Sequence, residues 1–411
     1  MNKIRVRFAP SPTGYMHIAN FRTAIYNWLF AKQNNGEFLI RIEDTDFERS
    51  KEHYEKAIFD TFDKFELDIA NRNNYMRQSE RIELYKTIGK QLYEQGHAFY
   101  CKCQQTANEC TCRDSGHTNG ALRFKVPKNI DLTFDDMIGG ECTRNTNDIE
   151  AFSLIRSDGI ATYNFAVVID DNEMDITHVI RGEDHRTNTF KQILIYQAMK
   201  WNIPEFGHLP LILGEDGGKL SKRKSDTSID NLINQGYPKE AIFNMIIRIG
   251  WGYKDEEIIT KERALEIFDV HNVSRNAAAF DSKKLDALSA HYLRTGDYTK
   301  EIASVFTNEA HDAIREIYDD LTSRCVTINE CQEMCKFIFD DTLYTPSDTT
   351  CIDDIAKLNN TLSFEDWFQS IKKYPNDKLI RKAIREIITN STTGLPLSII
   401  YKYRIQNKKI V

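Results

Sequence analysis

The stretch Arg5-Val-Arg-Phe-Ala-Pro-Ser-Pro-Thr-Gly-Tyr-Met-His17-Ile-Ala-Asn-Phe-Arg-Thr-Ala-Ile-Tyr-Asn-Trp-Leu29, closed by Phe38-Leu-Ile-Arg-Ile42, decides the fold. Residues 4–9 alternate apolar and basic side chains with period two, the pattern of a strand, and Pro10 and Pro12 stop it. A turn follows. From Ile18 the apolar positions Ile18, Phe21, Ile25, Trp28 and Leu29 recur at three- and four-residue spacing, so a helix begins after Gly14 and ends near Asn34-Asn35-Gly36. Phe38–Ile42 is again a strand. Strand, helix and strand in this order form a βαβ unit, which builds parallel sheets whose ligands sit at the carboxyl ends of the strands. The loops 9–17 and 43–46 lie at such ends.

Outward from this unit, helical periodicity covers about 51–67 and 79–95, with Gly96 as a stop. Residues 101–120 are rich in Cys, Asn, Thr and Gly, and extended segments follow at Leu122–Pro127 and Phe152–Arg156, as in an insertion between two halves of a sheet. Buried-strand patterns are expected at Tyr163–Ile169 and Ile176–Ile180, then a helix from Asn188 to Lys200. From Ile229 amphipathic helices take over, for example Leu379, Ile380, Ala383, Ile384, Ile387 and Ile388 on one face. The fold class is α/β: a Rossmann-like parallel sheet with an inserted subdomain, followed by mainly α-helical C-terminal domains. The boundaries fall at 1–96, 97–160, 161–228, 229–295 and 296–411.

Composition narrows the class. The chain has 411 residues, 41% apolar and 28% charged, too much core for a disordered protein. Its net charge of −7 leaves nucleic acid to be met by local basic patches. No apolar run reaches the roughly 18 residues of a membrane span, and the amino terminus has no signal-peptide core. Nine cysteines, four of them at Cys101, Cys103, Cys110 and Cys112, fit a metal site in a reducing cytoplasm better than a disulfide framework.

Two segments carry chemistry. The turn from Arg7 to Asn20 offers free backbone N–H groups and a helix amino terminus to phosphate, with His17 at its mouth and small residues at Gly14 and Ala19. The run Gly217-Gly-Lys219-Leu-Ser-Lys222-Arg223-Lys224 is a glycine-hinged cation loop able to close over a polyphosphate. Alone, the first reads as a proline turn and the second as a solvated loop.

Together, Pro10-Ser-Pro-Thr13-Gly14-x-x-His17-Ile and Lys219-Leu220-Ser221-Lys222-Arg223 resemble the two signature sequences of class I aminoacyl-tRNA synthetases. Arg41-Ile-Glu-Asp-Thr-Asp46, Val179-Ile-Arg-Gly-Glu-Asp-His185, Gly250-Trp251 and Phe280-Asp281 extend the resemblance to bacterial-type glutamyl-tRNA synthetases. That resemblance implies ATP-dependent attachment of L-glutamate to the 3′ end of tRNA through a glutamyl-adenylate, with ATP and Mg2+ and with tRNA for glutamate, or also glutamine, as partner. Catalysis falls to His17, Lys219 and Lys222. Arg7 is implied to pair with the glutamate side chain, Ser11 and Glu43 to hold the α-amino group, Arg181 to lie near the α-carboxylate, and Tyr163 to flank the pocket from a strand. Pro10, Thr13, Gly14, Ala19, Asn20, Glu183, Leu220, Ser221 and Arg223 complete the ATP site, with Asp184 and His185 weaker members.

At Ala19 a glycine is usual in the family, and the added methyl could crowd adenine. The four cysteines match a zinc cluster in the insertion (97–160) that grips the tRNA acceptor end; four soft ligands suit Zn2+. Residues 229–295 correspond to a helical junction and 296–411 to an anticodon-binding domain, shorter than usual. A cytoplasmic monomer is the family expectation. The alternatives are a synthetase directed to tRNA for glutamine, the truncated paralogue that glutamylates an anticodon base, glutaminyl-tRNA synthetase, and a retired RNA-binding relative. The helical segment after Arg223 weighs against the second and third, and intact His17, Glu43, Arg181, Lys219 and Lys222 against the last.

Overall fold

The computed structural model describes residues 3–103, 111–214, 217–218, 227–306, 310–340 and 342–406. The chain divides into two compact units, one of residues 1–231 and 243–281, the other of residues 232–242 and 282–411.

In the first unit β1 (Arg5–Phe8), α1 (Ile18–Gln33) and β2 (Glu37–Ile42) form the expected βαβ unit, β1 and β2 pairing in parallel with Arg7 opposite Leu39. After α2 (Glu52–Lys64), β3 (Met76–Arg77) adds in parallel to β2. On its other side, β1 meets the start of β9 (His178–Gly182): Thr177 N donates to Arg5 O at 2.9 Å, and Arg5 N donates to Thr177 Oγ1 at 2.9 Å. β9 pairs in parallel with β10 (Glu205–Leu209), with Arg181 opposite His208. The strand order 3-2-1-9-10 reverses direction between β1 and β9, where open α/β sheets leave a crevice for ligands.

The intervening chain runs through α3 (Ile82–Glu94), which ends at Gly96 with φ +79°. β4 (Ala98–Cys101), β5 (Ala121–Phe124) and β8 (Ser153–Ile155) make a separate antiparallel sheet in the order 4-5-8. The hairpin of β6 (Asp131–Asp136) and β7 (Gly140–Asn145) instead extends the sheet of β9 and β10, Asp136 standing opposite Phe206.

One expected element is corrected. Tyr163–Ile169 is no strand: it opens α4 (Tyr163–Glu173), which precedes β9 and α5 (Arg186–Met199). Phe165, Ala166, Val167, Val168 and Ile169 are all at most 1% exposed. A helix buried on every side carries an unbroken apolar run, which periodicity cannot distinguish from a buried strand.

The second unit is helical. Its core joins Ile314, Leu321, Trp367, Ile371, Ile384 and Tyr401. The face expected around Leu379–Ile388 lies on the helix Asp377–Thr389, where Ile380, Ala383, Ile384, Ile387 and Ile388 are buried. The helix Phe364–Ile371 starts where the Ser363 side chain accepts from Asp366 N, a side-chain cap that satisfies an otherwise orphan donor.

Candidate active site

A cavity of about 630 Å³ opens at the carboxyl ends of β1, β2, β9 and β10. It is lined by Arg7, Pro10, Ser11, His17, Ala19, Asn20, Glu43, Tyr163, Arg181, Asp184 and His185, eleven of the residues expected from sequence, and by Arg22. Its two sequence-distant walls are joined where Glu43 N donates to Pro10 O at 3.0 Å.

The floor is a buried charge network. Asp171 on α4 accepts side-on from Arg7, through Nε at 3.1 Å and Nη2 at 3.2 Å, and also from Arg41 Nη1 at 2.6 Å. Arg41 Nη2 donates to Glu43 Oε1 at 3.1 Å. Behind Arg41 lies Asp170, which accepts from Gln78 Nε2 at 2.8 Å and Arg81 Nε at 2.8 Å. Burying ions is costly unless each finds partners, and here every carboxylate meets a guanidinium. Burial raises the Glu43 pKa against the pull of Arg41. Burial also opposes ionisation of Asp171, but Arg7 and Arg41 outweigh it and hold its pKa below the ordinary range. Arg7 is therefore not a free fork, as the sequence suggests. One edge is taken by Asp171, which locks the guanidinium in place.

Arg181 forms the opposite wall. It is 5% exposed, and its Nη2 donates to Thr189 Oγ1 and to Gln192 Oε1, each at 2.8 Å. Its Nη1 is buried without a hydrogen bond of regular geometry, although the Tyr163 hydroxyl is close enough to interact. Tyr163 comes from the first turn of α4 rather than from a strand, and its ring packs on His185 at 5.0 Å. Burial and the charge of Arg181 push the His185 pKa down to about 4, so this imidazole is neutral at pH 7.

At the mouth, His17 caps α1. Its Nδ1 accepts from Ala19 N at 3.3 Å, so the ring proton sits on Nε2, which donates to Thr227 Oγ1 at 2.8 Å. His17 also forms an isolated antiparallel bridge with Ser228. The chain just after the lysine loop is thus anchored on the histidine of the first signature. Lys219, Leu220, Ser221, Lys222 and Arg223 lie outside the described residues.

Three expected residues do not line the cavity. Thr13 and Gly14 belong to the turn that leads into α1, and Glu183 accepts from Leu211 N at 3.0 Å and from Arg186 Nη2 at 2.9 Å. Sequence reasoning missed Arg22, whose Nη1 donates to Ile249 O at 3.2 Å while its Nη2 donates to Pro210 O. It also missed Arg41, Asp170 and Asp171. The signal for the last two is a pair of adjacent carboxylates ending an apolar run.

The Sγ atoms of Cys101, Cys103 and Cys112 lie within 4.8 Å of one another, with Cys101 and Cys112 buried. Three converging thiols, two of them shielded, fit a thiolate-bound metal. Cys110 lies outside the described residues.

The family model for the class I tRNA synthetase catalytic domain of the E and Q type matches residues 3–109 and 104–287. A glutamate–tRNA ligase from Aquifex aeolicus is 38% identical over 427 residues, covering 94% of this chain and 89% of that protein. The chain belongs to the glutamate–tRNA ligase family of class I synthetases. Within this family, the ligase of Thermodesulfovibrio yellowstonii is 43% identical over 310 residues, covering 71% of this chain and 66% of that protein. A solved glutamate tRNA ligase from Elizabethkingia meningosepticum, in complex with its amino acid, superposes with TM-score 0.80 at 27% identity, covering 97% of this chain and 96% of that one.

Proposed function

We propose that this member of the family attaches glutamate to tRNA at the cavity between β1 and β9. The supporting observation is that two buried guanidiniums, Arg7 and Arg181, line one cavity with Glu43 and with the imidazole of His17. A dicarboxylic amino acid needs two cationic partners and one anionic one. Arg7, braced by Asp171, takes the side-chain carboxylate; Arg181 lies near the α-carboxylate; Ser11 and Glu43 hold the α-amino group; Tyr163 closes the pocket.

The α-carboxylate attacks the α-phosphate of ATP, pyrophosphate leaves, and a ribose hydroxyl at the tRNA 3′ end takes the glutamyl group. No protein nucleophile is needed, so positioning and neutralisation of phosphate charge supply the acceleration. ATP, bound as its Mg2+ complex, meets His17 Nε2–H, Pro10, Ala19, Asn20 and the loop of Lys219, Leu220, Ser221, Lys222 and Arg223, with Thr13, Gly14 and Glu183 shaping the turn and helix start around it. A second cavity of about 600 Å³ shares Tyr163 and is bordered by Phe47, which is 55% exposed, and by Arg156. An exposed aromatic ring beside a guanidinium suits a stacked terminal base with its phosphate.

The same reading assigns 97–160 to the acceptor end, 229–295 to a junction and 296–411 to the anticodon. Cys101, Cys103 and Cys112, with Cys110, would hold a structural Zn2+; metal analysis finding no zinc, with all four thiols titrating freely, removes that part. No helix among the described residues is long and apolar enough to cross a membrane; a cytoplasmic monomer is part of the proposal. Charging of purified tRNA for glutamate and tRNA for glutamine with labelled glutamate tests activity and partner together; no charging of either overturns the proposal.

A further inference from the structure

Arg181 is set by a second layer of buried groups that reaches into the hairpin of β6 and β7. Its Nε donates to His208 Nε2 at 3.3 Å, across the register pair that joins β9 to β10. The Thr189 hydroxyl, which accepts from Arg181 Nη2, lies 3.0 Å from the same ring nitrogen. The other nitrogen, Nδ1, bonds to Asp136 Oδ2. Asp136 is held in turn: Oδ1 accepts from Ile138 N at 3.0 Å, Gly139 N at 2.9 Å and His208 N at 3.2 Å. His208 and Asp136 are 4% and 2% exposed.

These partners fix the protons. An ionised carboxylate only accepts, so Nδ1 carries the hydrogen and donates to Asp136; Nε2 is left as a lone pair facing two donors. The remaining contacts of Arg181 are also directional. Gln192 turns its oxygen to Arg181 because its nitrogen donates to Asn164 Oδ1 at 3.0 Å, and Phe206 lies under the guanidinium with its ring centre 5.6 Å from the central carbon. With Nε and Nη2 so occupied, the buried Nη1, near the Tyr163 hydroxyl, is the one guanidinium nitrogen without a hydrogen bond of regular geometry.

We propose that His208, held in one tautomer by Asp136, is a positioning residue that aims Arg181 at the substrate. The inference rests on the cavity's being the glutamate site. His208 touches no substrate, and it acts by accepting from the edge of Arg181 that faces away from the ligand. Losing that acceptor leaves a buried N–H unpaired and the guanidinium free to tilt. Reversing the tautomer sets Nε2–H against Arg181 Nε–H, with the same result.

Three variants of the full chain separate this role from simple packing. The amide of His208→Asn overlays Nδ1 and retains only the Asp136 bond, whereas that of His208→Gln overlays Nε2 and restores the acceptor for Arg181. In glutamate-dependent charging His208→Asn should raise KM for glutamate about tenfold or more, the usual cost of a lost hydrogen bond to a charged group, with KM for ATP within about twofold. His208→Gln should recover most of that loss. Asp136→Asn leaves His208 in place but reverses its tautomer, and should match His208→Asn in KM for glutamate while keeping a cooperative thermal transition. Equal KM values for the Asn and Gln variants, or parallel rises in KM for ATP and glutamate, would overturn the proposal. If neither His208 variant folds, an unchanged KM in Asp136→Asn would overturn it alone. Absence of charging by the unmodified protein would instead remove the glutamate reading itself.

Discussion

The two units bury different chemistry. In the first, charged groups such as Arg7, Arg41, Glu43, Asp171, Arg181 and Asp136 are all less than 10% exposed; in the second, the buried set is dominated by aliphatic side chains, Trp367 and four cysteines, with Glu386 and Arg404 as its buried charges among the described residues. An apolar core of the same volume would stabilise the first unit as well or better, because desolvating ions offsets most of their attraction. Its ions are therefore understood by what they hold in place. The second unit's interior is mainly apolar packing.

The strongest way to break that contrast is Arg7→Ala. It leaves the substrate's side-chain carboxylate unmatched and Asp171 short of one partner, and should lower kcat/KM for glutamate by about two to four orders of magnitude, the equivalent of roughly 3–5 kcal/mol. A normal KM for glutamate in steady-state charging would show that Arg7 does not meet the substrate. Ile384→Ala is the counterpart in the second unit. Creating a cavity at a fully buried isoleucine should cost about 2–5 kcal/mol in urea unfolding yet leave KM for glutamate unchanged. A large change in KM would mean that the helical core also tunes the site.

Acid titration sharpens the comparison further. Burial tends to raise the Asp136 pKa, but bonds from His208 and from the Gly139 and Ile138 amides prevail and bring it down to about 2. A depressed carboxylate stabilises the fold above its unfolded pKa, and the contribution fades as pH falls through the folded value. Asp136→Asn should therefore be less stable than the parent by about 2 kcal/mol at pH 6, a gap that closes between roughly pH 4 and pH 2. A gap independent of pH would remove the ionised carboxylate from the account. The smallest effect is expected from Thr227→Val. Without the hydroxyl that occupies His17 Nε2, KM for ATP in pyrophosphate exchange run with tRNA should fall about fivefold, the worth of one ordinary hydrogen bond. A rise would make Thr227 a support for His17 rather than a competitor of ATP.

Local signals carried the first βαβ unit, because prolines, glycines and period-two or helical spacing act within a few residues. They failed where burial was complete, as in α4, whose apolar run reads as a strand. They also failed at β10, where Glu205-Phe-Gly-His-Leu209 includes a glycine and a histidine and gives no strand pattern. Eleven of the expected site residues meet in the cavity, all but Tyr163 because they belong to motifs at strand ends. Asp171 left only a pair of carboxylates after an apolar run, Arg41 stood in a quoted motif without a role, and His208 gave no signal. Their roles arise from partners 27 to 164 residues away, such as His208 with Arg181 and Asp171 with Arg7, and no local pattern encodes such a pairing.

The network beneath the cavity also has an ionic balance of its own. Arg7, Arg41, Arg81 and Arg181 stand against Glu43, Asp170, Asp171 and Asp136, with His208 and His185 neutral, so these cations and carboxylates cancel. On the proposed placement, the zwitterion of glutamate brings its net negative charge to Arg7 and Arg181, the two members of that network's cations that line the cavity. An amide side chain of nearly the same shape would fill the space but offer Arg7 no charge, so discrimination would follow from charge more than from size.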